Sequence, residues 1–62
     1  MTPGQRVKIW LVGNGMKHGE LAVRLGVSRI TVSKWLNGKQ VPSQDHRHAM
    51  QELCGVEPEA WG

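Results

Sequence analysis

Apolar residues recur along this chain at three- and four-residue intervals between short glycine-rich breaks, and no stretch alternates as a strand would. Helices are therefore the predicted elements throughout. Thr2, followed by Pro3 and then by Gln5, supplies an N-cap, a first-turn proline and a capping-box partner for a first helix. Val7, Trp10 and Leu11 form its buried stripe, and Gly13, Asn14 and Gly15 end it. Leu21, Ala22 and Leu25 mark a short second helix closed by Gly26. Its N-cap falls on Lys17, a poor capper, although Glu20 stands where a capping box wants an acid and suits the helix dipole.

The third helix is more strongly written. Ser28 is its N-cap, and Val27 is placed to staple onto Val32 across the first turn. At 100° per residue Val32, Trp35 and Leu36 share the inner face, while Ile30, Lys34 and Asn37 point away, flanked by Arg29 and Ser33. Asn37 and Gly38 close it. Ser43 then caps a fourth helix whose Ala49, Met50, Leu53 and Cys54 make one stripe that includes His46 and ends at Gly55. Pro58 starts a final single turn, and Trp61 is predicted to fold back over the core as a lid.

Sixty-two residues correspond to one small domain, residues 1–62, and its single cysteine, Cys54, can form no internal disulfide. The expectation is a cytoplasmic protein, since there is neither a signal-peptide pattern nor an apolar run of the ~18 residues a bilayer requires. Net charge is +3 and the pI about 9.6, which favours an anionic partner. The distribution is more telling: residues 21–44 carry Arg24, Arg29, Lys34 and Lys39 and no acid, whereas residues 45–62 carry four acids against Arg47 alone.

Two helices joined by a tight glycine-containing turn, the second with an outward polar and basic face, describe a helix-turn-helix at about residues 17–37. The run Glu20-Leu21-Ala22, Leu25-Gly26-Val27-Ser28, Val32, Trp35, Asn37-Gly38-Lys39 and Pro42-Ser43 resembles the Cro and lambda-repressor-type helix-turn-helix family, also called the XRE family. The spacings have physical reasons. Ala22 is small where helices 2 and 3 cross, Gly26 admits a left-handed turn residue, and Val32 and Trp35 anchor the third helix.

The resemblance implies an all-α, lambda-repressor-like bundle of about five short helices that binds double-stranded DNA, with helix 3 in the major groove and helix N-termini at phosphates. By the same likeness Arg29, Ile30, Ser33 and Lys34 are base-contact candidates, and His18, Ser28, Asn37, Lys39, Gln40 and Ser43 are phosphate-contact candidates. Side-chain chemistry agrees: Arg29 can meet guanine O6 and N7 bidentately, and Ile30 can pack on a thymine methyl. Two departures from the pattern concern packing. Leu11 and Leu36 occupy positions where many relatives pair an Arg with a Glu, an exchange that need not cost stability. Arg47 and His48 stand where relatives tend to be apolar.

Other chemistries are poorly supported. Gly13 and Gly15 lack the Gly-Lys-Ser/Thr ending of a phosphate loop. His46 and His48 point about 200° apart on a helix, so with Cys54 they make no metal site. No nucleophile–base set or carboxylate pair converges, and neither enzyme activity nor a cofactor is expected. The expected function is a Cro-like regulator, a repressor of bacteriophage or bacterial source, without a second sensing or oligomerisation domain. It is expected to sit as a homodimer on a pseudo-palindromic operator, with Val41, Val56 and Trp61 as apolar interface candidates. The alternatives are an antitoxin or autoregulator with a protein partner, or a protein–protein module on the same fold.

Overall fold

A computed structural model describes residues 1–62. Its elements are α1 (Pro3–Gly13), α2 (His18–Leu25), α3 (Arg29–Leu36), α4 (Gln44–Cys54) and a final 3-10 turn (Pro58–Trp61), with no strand. The chain is thus four α-helices plus one 3-10 turn, where about five short helices were expected. Helix α2 packs on α3, α1 on α3, and α4 on the 3-10 turn. None of the helices is long and apolar enough to cross a membrane.

The helix ends follow from their caps. Thr2 Oγ1 accepts the Gln5 amide at 3.1 Å while Gln5 Oε1 accepts the Thr2 amide at 3.0 Å, a complete capping box. Ser28 Oγ accepts the Thr31 amide at 3.1 Å and so starts α3 as predicted. Between them α2 ends in a left-handed turn: Gly26 has φ +71°, Val27 N–H donates to Ala22 C=O at 3.0 Å, and Gly26 N–H donates to Val23 C=O at 3.3 Å. This paired closure leaves only three residues, 26–28, between α2 and α3.

Val7 and Leu11 from α1, Leu21 and Ala22 from α2, Val32, Trp35 and Leu36 from α3, Met50 from α4, and Val56 and Trp61 from the C-terminal segment form one buried cluster. Every residue predicted for the inner face of α3 is in it. Trp10, predicted for the buried stripe of α1, is half-buried and packs against the margin of this cluster. Of the predicted α4 stripe only Met50 is fully buried. Ala49, Leu53 and Cys54 are half-buried, because α4 meets the rest chiefly through the short 3-10 turn and presents a narrow edge to the core.

Two expectations need correction. Ser43 occupies the N-cap position of α4, but its hydroxyl makes no cap bond and instead lies 3.0 Å from His46 Nδ1. That imidazole lies against Trp35, with ring centroids 5.2 Å apart and planes at 45°, so aromatic contact and the Ser43 bond together hold the ring over the core. Val56 and Trp61 are buried within the monomer, which removes them as interface candidates and leaves Val41 exposed. Arg47, out of pattern for the family, is half-buried and its Nε donates to Pro42 C=O at 2.8 Å, tying α4 to the preceding loop.

Candidate nucleic-acid interface

The outward face of α3 and the first turns of α2 enclose an open groove of about 900 Å3. Seven of the ten sequence-derived candidates line it: His18, Arg29, Ile30, Ser33, Lys34, Asn37 and Lys39. Helix geometry explains the gathering. Val32, Trp35 and Leu36 are held in the core, so residues on the opposite side of α3 must face outward, and Arg29, Ile30 and Lys34 are exposed.

Local contacts fix several of these side chains. Arg29 extends beside the start of α2, where a methyl group placed on Gly19 would lie 3.8 Å from its Cδ. Lys8 of α1 donates through Nζ to Asn37 Oδ1 at 3.0 Å, so the Asn37 amide oxygen is occupied and its Nδ2 remains as donor. Beyond α3 the chain turns back, with Lys39 N–H and Gln40 N–H both donating to Lys34 C=O at 2.9 and 3.3 Å. That turn brings the Lys39 side chain into the groove.

Three candidates lie elsewhere. Ser28 spends its hydroxyl on the α3 cap and on Thr31 Oγ1 at 2.9 Å. Gln40 lines a second cavity, about 520 Å3, between the start of α1, the loop after α3 and the chain end. Ser43 is exposed and bonded to His46.

Four lining residues escaped the sequence reading: Lys17, Gly19, Glu20 and Val23. The signal was present in α2, because a helical wheel sets Gly19, Glu20 and Val23 in an arc of roughly 100° opposite Leu21, Ala22 and Leu25. The groove therefore carries four cations, Lys17, Arg29, Lys34 and Lys39, against the single carboxylate of Glu20. Glu20 Oε1 accepts the Lys17 backbone N–H at 3.2 Å, which gives that acid a structural task at the start of α2. The surplus of positive charge makes the groove attractive to polyanions.

Burial pushes the Cys54 thiol up to about 11, so it is protonated at neutral pH, a poor nucleophile and a poor metal ligand. The groove has instead the features of a surface that reads DNA: a basic perimeter, hydrogen-bonding side chains and a helix presented along one wall.

Neither curated proteins nor solved structures yield a match to the chain. A family model described as helix-turn-helix matches residues 7–61, nearly the whole chain, and that family binds DNA sequence-specifically and regulates transcription. With α2, the Gly26 turn and α3 lying where the motif requires them, this chain belongs to the XRE-type helix-turn-helix family, to which Cro and lambda-type repressors also belong.

Proposed function

We propose that this protein is a Cro-like transcriptional repressor that lays α3 in the major groove of an operator. The observation that supports this best is the convergence of Arg29, Ile30, Ser33 and Lys34 in one groove with His18, Asn37 and Lys39. In this reading the first four meet base edges and His18, Ser28, Asn37, Lys39, Gln40 and Ser43 meet phosphates. The bundle has a lambda-repressor-like arrangement and works in a prokaryotic or phage-infected cytoplasm, at the nucleoid. A single module buries a modest area on DNA, so two copies on a pseudo-palindrome, half-sites ~34 Å apart, supply the affinity. Val41, exposed beside the second cavity, is the remaining apolar contact for such a dimer.

An electrophoretic shift with random duplex at two salt concentrations, followed by selection of bound fragments from a random library, tests the proposal. Retention that weakens steeply with salt, together with enrichment of a two-fold-related sequence, is the expected result. Salt-independent retention, or enrichment of no sequence, would overturn it.

A second reading, an antitoxin or autoregulator that also holds a protein partner, draws support from a separate surface. Ile9 and Val12 lie one helical turn apart on α1 and are both exposed. An Ile9→Lys change that abolishes regulation in cells while leaving DNA affinity intact would favour it.

A further inference from the structure

The candidate groove contains two apolar side chains, and each comes from a different helix of the motif: Val23 of α2, 81% exposed, and Ile30 of α3, 67% exposed. Val23 stands on the polar side of α2, away from Leu21, Ala22 and Leu25, and nothing in the monomer covers it. A scattered exposed aliphatic residue is ordinary. Here the two are stiff β-branched residues and supply the apolar lining of a concavity that also holds Lys17, Arg29, Lys34 and Lys39. The major-groove edges of B-DNA bear one apolar group, the 5-methyl of thymine, and 5-methylcytosine carries its methyl at the same ring position.

We infer that Val23 and Ile30 together form a subsite for pyrimidine 5-methyl groups, so that α2 as well as α3 sets sequence preference. The inference rests on the DNA-binding reading above and assigns α2 a specificity residue beyond it. Charge complementarity selects the occupant: the surrounding cations suit the phosphates that flank a methyl-bearing base edge, whereas an uncharged apolar partner would leave them unpaired.

The test uses a duplex recovered by selection, with its thymines replaced one at a time by deoxyuridine. This exchange removes the methyl and leaves every hydrogen-bonding group in place. Fluorescence anisotropy should show a loss of about three- to fivefold at one or two positions, the effect of unburying one methyl group. Val23→Ala should abolish that loss at one position, and Ile30→Ala should do so at the same or a neighbouring one. Both residues are exposed, so thermal melts of the variants should match the parent.

A second arm compares cytosine with 5-methylcytosine at the sensitive positions. A similar gain on methylation supports recognition of the methyl whichever base carries it, and no gain supports recognition of thymine alone. Deoxyuridine insensitivity at every position overturns the inference, as does a loss that Val23→Ala leaves undiminished throughout. Tight, salt-dependent binding with either of those results defeats this inference alone, whereas failure to bind any duplex defeats the DNA-binding reading with it.

Discussion

Arg6 and Glu57, 51 positions apart in the chain, meet through two parallel hydrogen bonds, Nη1 to Oε1 and Nη2 to Oε2, each 2.9 Å long. Arg6 Nη2 also donates to Gly55 C=O at 3.4 Å. The bidentate pair ties the first turns of α1 to the segment between α4 and the 3-10 turn, where Val56 enters the core. No other ion pair spans the fold.

This contact gives the protein an acid-sensitive component. The side-chain hydrogen bond from Arg6, helped by a backbone hydrogen bond, lowers the Glu57 carboxyl from 4.5 to about 2. A depressed folded-state value means that the stabilisation is present above the unfolded value and is lost as pH falls from about 4.5 through about 2. Both partners are partly exposed, so salt should weaken it. Melting temperatures of the parent and of Glu57→Gln, followed across that window, should differ most at the high end and converge at the low end. High salt should narrow the gap. Parallel curves would show that the pair contributes nothing.

The approach of α1 to α3 depends on Gly4. A Cβ there would collide with the Leu36 carbonyl oxygen and lie 2.9 Å from its carbon, both of them backbone atoms that cannot turn aside. Gly4→Ala should cost about 1–3 kcal/mol through forced separation of the two helices. Gly13, at the other end of the same helix, has nothing within 4 Å of a Cβ, and Gly13→Ala should gain about 0.5–1 kcal/mol. Opposite signs in two denaturation curves are the expected outcome. A neutral Gly4→Ala would mean that the helices can move apart freely.

Trp35 carries the inner face of α3 and the His46 ring at once. Trp35→Ala should cost about 3–5 kcal/mol, most of the reserve of a small domain, and abolish DNA binding by unfolding. The Trp35 indole N–H is buried and has no partner. Trp35→Phe keeps a ring beside His46 and removes that donor, so it should be the milder change. Circular dichroism showing a native-like cooperative melt for Trp35→Ala would contradict the central place of this residue.

What the sequence disclosed and what it hid divide along physical lines. Thr2, Gln5, Ser28 and Gly26 act on neighbours three to five residues away, so their roles could be read from local spacing, as could the facing of α3. Because α2 and α3 are joined by so short a turn, the candidates on them had to converge. Contacts between distant segments left no such trace. Nothing near Arg6 announces Glu57, nothing near Gly4 announces Leu36, and Lys8 reaches Asn37 across 29 positions. Ser43 had two local choices, the helix N–H groups or His46, and spacing of three residues fits both. Trp61 was legible as a lid on the core, but Val56 looks like an interface residue until the core that encloses it is built.

Arg29 and Lys39 line the same groove from opposite ends of α3, and their proposed tasks can be separated by measurement. If Arg29 meets a guanine edge, Arg29→Ala should cost about 1–3 kcal/mol on the selected sequence and much less on random duplex, because discrimination is what it loses. Lys39, on the turn just past the helix, is a point charge for phosphate. Lys39→Ala should weaken both duplexes alike and reduce the slope of log affinity against log salt by about one, since one fewer counterion is released on binding. Titrating both variants on both duplexes across a salt series distinguishes the two. Equal losses for Arg29→Ala on selected and random DNA would make it a phosphate residue, and base reading would then fall to Ile30, Ser33 and Lys34, whose side chains line the groove beside it.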